Sequence, residues 1–323
     1  MCNVSIIIRC YNEEAHIGRL LSGIMLQTES DVEIIIVDSG STDATVSIAS
    51  QYPTTIVTIN KHEFSFGRSL NLGCEVANGD LLVFASAHVY PLYRNWLQEL
   101  LKPFKDDRIA CTYGRQCGNR NTKFSEHQVF ARWFPEKSDP NQDHPFCNNA
   151  NAAVRRSIWE NLRYDETLTG LEDLAWVKKM ISTGNRISYQ SDAVVVHVHE
   201  ETPRQVLNRY RREAIAMKAI FPHEKFSLWS FLHMFPKNVL ADLRLALRQL
   251  VFWKNLCSII TFRFMQFWGA YRGFAQHGVV SKTLREKFYY PCEATPTTTS
   301  TFDQQNGGTL IDYSAHDSDD YRE

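Results

Sequence analysis

The sequence predicts an α/β protein: a mostly parallel sheet with helices on both faces, followed by a run of long helices. Three observations carry this. Short β-branched runs alternate with segments of helical spacing in the order β-α-β-α-β-α-β. Those runs end in polar residues, as strands of open parallel sheets do where ligands bind. From Pro203 the strand signals stop and Arg-bearing helical segments take over. A chain of 323 residues suffices for one large domain with an appendage, or for two domains.

The elements follow in order. "VSIIIRC" is a β-branched run stopped by the polar "YNEE". "AHIGRLLSGIMLQ" then puts Ile17, Leu20, Leu21, Ile24 and Met25 on one helix face. "VEIIIVDSGS" is a second buried strand ending in a polar turn. "STDATVSIASQY" starts a helix, with Ser41 or Thr42 as its cap and Asp43 in its first turn. "TTIVTIN", "FGRSLNLGCEVAN" and "DLLVFASAH" continue as strand, helix and strand. "NWLQELLKPF" is a helix and "RIACTYGRQ" a strand. Residues Cys117 to Asn148 show little periodicity and predict a long irregular segment, which inside a domain is usually functional or mobile. "RRSIWENL" and "LEDLAWVKKMISTG" are helical, the latter stopped by Gly184, and "SDAVVVHVH" is a strand.

Composition narrows the function classes. The net charge of -1 gives no global field for nucleic acid. The 8 cysteines form no CxxC pair, so a zinc site is not expected. The opening "MCNVSIIIRCYNEE" lacks a basic segment and a cleavage site. Free thiols in a reducing cytoplasm are the resulting expectation. Neither GxGxxG nor GxxxxGK[ST] occurs, so any phosphate is held by other means.

The strand ends bring Arg9, Tyr11, Asn12 and Glu13, then Asp38, Ser39 and Gly40, then Ser86, Ala87 and His88 to one crevice. A strand-end aspartate such as Asp38 accepts hydrogen bonds from a base or a ribose hydroxyl. "DSGSTD" equally fits a plain strand-turn-helix cap. Farther along, "GLEDLAW" sets two adjacent carboxylates, Glu172 and Asp173, in an apolar frame.

Together, "VSIIIRCYNEEAHIGRLL", "EIIIVDSGSTDAT", "NAAVRRSIW" and "GLEDLAW" resemble a family 2 inverting glycosyltransferase of the GT-A fold. The similarity is to the bacterial, rhamnosyltransferase-like branch that extends polysaccharides and lipid-linked oligosaccharides, and it runs from about Val4 to His199. The resemblance implies an EC 2.4 enzyme that takes a nucleotide-sugar donor to a saccharide, expected to be lipid-linked. It assigns Tyr11, Glu13 and Asp38 to the nucleotide and Arg68 and Asn71 to the donor's phosphate or sugar, with Arg9 and His88 as further donor-binding candidates. Asn151 and Trp176 fall on the acceptor side. It makes Asp173 the general base, with Glu172 orienting the acceptor or the base. An apolar frame of Leu171, Leu174 and Trp176 would raise that carboxylate toward a useful pKa.

The family's Asp-x-Asp at the end of strand four, which holds Mg2+ or Mn2+ on the donor diphosphate, is absent. "ASAHVYP" has no acid, and His88 stands at that position. Imidazole suits Mn2+ better than Mg2+; alternatively, His88 bonds the phosphates directly and no metal is needed. His197 and His199 share one face of their strand and are further candidate metal ligands or proton donors.

The domain expectation is a catalytic domain over 1–200, with 1–100 as its nucleotide-sugar half and 101–200 as its acceptor half. A basic helical region follows over 201–291, then a disordered acidic tail over 292–323. Arg209, Arg211 or Arg212 would either neutralise the diphosphate or, as such arginines more often do, form a solvated face. Phe226 to Gly273 mixes Trp229, Trp253 and Trp268 with recurring basic residues. That predicts either an interfacial region on an anionic membrane, at the cytoplasmic face of the inner membrane, or a helical layer packing on the catalytic domain or a second subunit. Two rivals to the transferase reading are a nucleotidyltransferase, which needs a Gly-rich loop that "RCYNEE" lacks, and a non-catalytic glycan- or sugar-nucleotide-binding subunit.

Overall fold

The computed structural model describes residues 3–29, 31–278, 280–281, 284, 288–289 and 308–313. Its centre is one sheet of strands β1 (Val4–Cys10), β2 (Val32–Asp38), β3 (Thr54–Thr58), β4 (Leu81–Ser86), β5 (Val89–Pro91), β6 (Ile109–Cys117), β7 (Asp139–Gln142), β8 (Asn151–Arg155) and β9 (Arg186–His197). The spatial order is β3-β2-β1-β4-β8-β6-β9-β5, with β7 added on β9. The first four strands are parallel, as the β-α alternation predicts. β8 then enters antiparallel to both β4 and β6, and β6 and β9 run parallel.

Apolar residues cover both faces of this sheet. Ile6, Ile8, Ile36, Val83 and Ala85 pack with helix α1 (Ile17–Met25) and with Trp96 of α4 (Trp96–Leu101). Their neighbours Ile7, Ile35, Val37, Leu82 and Phe84 pack on the opposite face with Leu70 of α3 (Phe66–Val76) and with Trp159 and Trp176. The period of two in strand side chains explains why near-continuous runs such as "SIII" and "EIIIV" are needed here.

Several elements differ from the sequence reading. The helix α2 (Thr45–Ala49) starts later than expected, and neither Ser41 nor Thr42 caps it. Asp43 instead accepts from Thr45 N–H and Oγ1 at 3.0 and 2.6 Å, and Ser41 belongs to the Asp38 turn. Met25 is half exposed, off the core face. The segment from Cys117 to Asn148 holds helix α5 (Phe124–Trp133) and β7. β8 carries little strand signal, because its alanines have low strand preference and it runs directly into α6 (Arg156–Asn161). Gly184 does stop α7 (Glu172–Ser182), at φ +88°.

The C-terminal part is helical: α8 (Pro203–Ile220), α9 (Leu228–Arg248) and α10 (Phe252–Phe274). No helix among the described residues is long and apolar enough to cross a membrane. In the segment expected to be disordered, Gly308–Tyr313 packs on the sheet edge instead. Arg94 donates its N–H to Thr309 O at 3.1 Å, and Tyr313 donates its hydroxyl to Pro91 O at 2.7 Å. Apolar Leu310, Ile311 and Tyr313 give that short stretch something to bury; the remainder of 292–323 lies outside the described residues.

Close approach of two backbones holds α8 against α10. A Cβ at Gly273 would stand 2.5 Å from both Ala214 Cβ and Arg211 O, and one at Gly269 would stand 2.5 Å from Leu207 O. Gly273→Ala should therefore lower the urea midpoint, by a loss of about 1–3 kcal/mol. An unchanged midpoint would show that α8 and α10 slide apart freely.

Candidate active site

The strand ends and the start of α7 enclose a cleft of about 530 Å³. Arg9 lies near the end of β1 and Tyr11 and Glu13 follow it, His88 follows β4, Glu172 and Asp173 open α7, His197 ends β9 and His199 lies just beyond it. α8 adds a polar wall of Gln205, Asn208, Arg209 and Arg212, spaced three and four apart on one face.

Glu172 and Asp173 are adjacent and both buried, yet their surroundings differ. Arg9 Nη1 donates to Glu172 Oε1 at 3.0 Å, so Glu172 carries its own counter-charge. Among the described residues, Asp173 has no cation in hydrogen-bond contact. It receives Asn149 N–H at 3.0 Å and Leu174 N–H at 2.8 Å. Burial, then the charge of Glu172, push its pKa up to about 7, against the pull of those two N–H groups and of Arg9. Leu171, in left-handed backbone at φ 55°, turns the chain so that both carboxylates enter the first turn of α7.

His88, His197 and His199 stand together, their candidate ligand nitrogens all within 4.8 Å of one another. Each is held through Nδ1: His88 by Glu13 Oε1 at 2.7 Å, His197 by Gln116 Oε1 at 2.7 Å, His199 by Glu126 Oε1 at 2.8 Å. That leaves Nε2 of each ring for a ligand. His197 Nε2 is buried with no partner, an expensive state for a polar atom. Burial, then His199 and His88, hold His197 well below the ordinary histidine pKa, so it stays neutral. Burial alone would lower His88 too, but Glu13 outweighs it and the net shift is upward. Three imidazoles, each held through Nδ1 by a side-chain acceptor, fit a divalent transition ion such as Mn2+ better than Mg2+.

Other expected site residues stand elsewhere. Asp38 is buried and turns its carboxylate onto its own loop, accepting Gly40 N–H at 2.9 Å and the Ser41 hydroxyl at 2.5 Å. Ser39, its neighbour, lines the cleft instead. Tyr11 does line it, with Lys61 Nζ donating to its hydroxyl at 2.9 Å. Arg68 is exposed and pairs with Glu166 at 3.4 Å, away from the cleft lining. Asn71 is a buried cross-link: its Nδ2 donates to Tyr164 O and Glu166 Oε1, both at 3.0 Å, while its Oδ1 accepts Trp159 Nε1 and Tyr164 N–H, both at 3.1 Å. Asn151 is likewise consumed, accepting Trp96 Nε1 at 2.9 Å and donating to Ala193 O at 2.8 Å. Trp176 is buried and donates to Leu162 O.

Of the three arginines considered for the diphosphate, Arg209 is engaged by Glu126 and Glu201, both at 2.6 Å, and Arg211 by Gln276 at 2.7 Å. Of the three, Arg212 alone lines the cleft without a carboxylate contact among the described residues; it donates to Phe288 O at 3.3 Å, and its guanidinium lies 4.7 Å from the Phe66 ring centroid. Sequence reasoning missed Asn149, Gln116 and Glu126. No motif marks them, since their roles arise from contacts across 24, 81 and 73 residues of sequence.

A carboxylate with raised pKa, a histidine cluster and an arginine thus meet in one cleft at the carboxyl ends of the parallel strands, where open α/β sheets bind ligands. Residues 5–163 match the family described as glycosyl transferase family 2. The O-antigen chain rhamnosyltransferase WbaN of Salmonella anatum is 32% identical over 224 residues, 65% of this chain and 70% of that protein. RfbN of Salmonella typhimurium, of the same description, is 30% identical over 64% of this chain and 70% of its own length. The chain belongs to glycosyltransferase family 2. Its fold is similar to a Pyrobaculum calidifontis mannosyltransferase in complex with GDP-Man and Mn2+, with a TM-score of 0.61 at 19% identity, covering 84% of this chain and 87% of that one. Staphylococcus aureus TarS in complex with UDP-GlcNAc superposes with a TM-score of 0.52 at 16% identity, over 96% and 99% of the two chains.

Asn71→Ala should cost about 2–4 kcal/mol by stranding buried donors, and leave nucleotide affinity in the folded protein unchanged. A specific loss of nucleotide affinity at full stability would return Asn71 to the donor site.

Proposed function

We propose that this glycosyltransferase moves a sugar, with inversion, from a nucleotide-sugar donor to a saccharide acceptor, with Asp173 as general base. The observation that carries the proposal is the buried Asp173 carboxylate facing the cleft beside an already neutralised Glu172. The acceptor hydroxyl loses its proton to Asp173 and its oxygen forms the new bond to the anomeric carbon. The bond from that carbon to the diphosphate oxygen breaks, and the nucleoside diphosphate leaves with the electron pair. A base with pKa near 7 suits this chemistry at neutral pH. Glu172, held by Arg9, orients the acceptor. Arg212 faces the negative charge of the leaving group.

His88, His197 and His199 are the residues that would hold a divalent ion. When bound there, such an ion supplies positive charge to the leaving diphosphate. A mannosyltransferase of similar fold is described in complex with Mn2+, which makes Mn2+ the first ion to test. Rhamnose is the first donor sugar to test, because WbaN and RfbN are described as rhamnosyltransferases. Their O-antigen chain description supports a lipid-linked saccharide as the acceptor class.

Asp173→Asn should lower turnover by ~10^2 to 10^4 while sparing donor binding. In the wild type, the rate should fall about tenfold per pH unit below about 7, because the base is active only when deprotonated and protonation removes it as pH falls. Near-normal turnover in the variant would end Asp173's assignment. A thermal-shift screen of nucleoside diphosphates and CMP identifies the base, since a ligand at ~100 Kd adds about 2.7 kcal/mol of stability.

Metal binding has its own readout. Mn2+ should raise the wild-type Tm more than Mg2+ does, and His197→Ala should remove the Mn2+ shift. Equal Mn2+ stabilisation of both proteins would place the ion, or its absence, elsewhere than at the histidines.

A further inference from the structure

Among the described residues, three non-glycine residues have left-handed backbone: Asn12, Leu171 and Leu250. The first two line the active-site cleft. Leu250 stands far along the chain, in the turn joining α9 to α10, at φ 59° and 92% exposed. Its hydrogen bonds explain the conformation. Val251 N–H reaches back to Ala246 O at 2.9 Å and Leu250 N–H to Leu247 O at 3.1 Å. This is a Schellman ending, and Leu250 holds the position where glycine is the ordinary residue. A leucine there is disfavoured by its own backbone and buries nothing in return.

Its surroundings are of one kind. Trp253 is 85% exposed and Leu247 54% exposed, so three large apolar side chains crowd one turn. Exposed Arg244, Arg248 and Lys254 flank them. Between Lys225 and Arg272 the sequence has a single acid, Asp242, and Arg263 pairs with it in the interior at 2.7 Å. The surface charge of this helical hairpin is therefore all positive. Farther up α9, exposed Trp229, Leu232 and Leu240 continue the stripe of Leu247 on one helix face.

We infer that the α9–α10 turn is a membrane-docking tip, with Leu247, Leu250 and Trp253 entering the headgroup layer of an anionic bilayer and Arg244, Arg248 and Lys254 meeting its phosphates. The charge pattern selects this occupant. A second copy of the chain packed symmetrically on the same tip would set these cations against their own equivalents with no exposed acid to pair them. An anionic lipid surface supplies both the apolar layer and the negative charge. The inference deepens the proposed reaction by adding the surface at which a lipid-linked acceptor is met. From the tip, α10 runs on to pack closely against α8, whose other face lines the cleft.

The test is flotation of the full chain with vesicles of phosphatidylcholine, alone or with about a third phosphatidylglycerol. The wild type should float with the anionic vesicles only, and less so in high salt. Leu250→Gly relieves the backbone, so its Tm should hold or rise. Combined with Trp253→Ser, it should cut vesicle partitioning about tenfold or more. Arg244→Gln, Arg248→Gln and Lys254→Gln together should do the same with the apolar residues intact. A wild type that does not float, floats equally with both vesicles, or is matched by the double variant overturns the tip. Self-association abolished by Leu250→Gly would assign the tip to a second copy and overturns it too. Donor hydrolysis, measured without lipid on the same proteins, should be equal in all; its absence in the wild type counts against the transfer reaction and leaves the flotation result standing.

Discussion

The contact between Arg9 and Glu172 joins the two parts of the molecule that chemistry requires to meet. Arg9 ends the first strand of the parallel sheet, and Glu172 opens the helix that carries the adjacent carboxylate. Their separation in sequence is 163 residues and in space 3.0 Å. Removing one partner of such a buried pair leaves the other charge uncompensated, at about 3–5 kcal/mol. The pair also divides labour between neighbouring acids. Glu172 is neutralised by Arg9, while Asp173 carries the cost of burial and of its neighbour's charge, which is what lifts its pKa. Two carboxylates of one motif thus acquire different protonation behaviour from surroundings alone.

A second network repeats this logic around the histidines. Glu126 is buried, which by itself raises a carboxyl's pKa, but His199 and Arg209 bring it down to about 2. An ionised Glu126 fixes the His199 ring through Nδ1 and anchors α8 through Arg209. The same α8 presents Arg212 to the cleft and is clamped from behind by Gly269 and Gly273 of α10. The C-terminal helices therefore complete the site rather than append to it.

Much of this was legible in the sequence, for physical reasons. Runs such as "VSIIIRC" and "VEIIIVD" are short and β-branched, which favours buried strands, and parallel strands deliver their polar ends to one edge. Arg9, Tyr11, Glu13, His88, Glu172, Asp173, His197 and His199 all line one cleft accordingly. The reading failed where a polar residue was spent on the fold. Asn71 and Asn151 have the chemistry to bind a sugar, but their amides already cross-link segments 93 and 42 residues away. Nothing in local sequence distinguishes a satisfied asparagine from a waiting one. Glu126 failed in the other direction: α5 is only weakly periodic, so a helix carrying an organising acid looked like loop.

Backbone strain adds a signal that composition and periodicity do not contain. Left-handed leucines and asparagines persist when something else over-determines them. For Asn12, that something is visible: its Oδ1 accepts Thr42 N–H at 2.8 Å and its own N–H reaches Ser41 Oγ at 2.9 Å, tying the ends of β1 and β2 together beneath the cleft. For Leu171, it is the start of α7, with Ala175 N–H returning to Leu171 O at 3.0 Å. For Leu250, helix-ending hydrogen bonds account for the backbone but not for the side chain, which glycine would spare the chain altogether. A large apolar group at an unfavourable and solvent-facing position, between cations and beside an exposed Trp253, finds no compensation in contacts within the fold, and the proposed docking on an anionic surface would supply it.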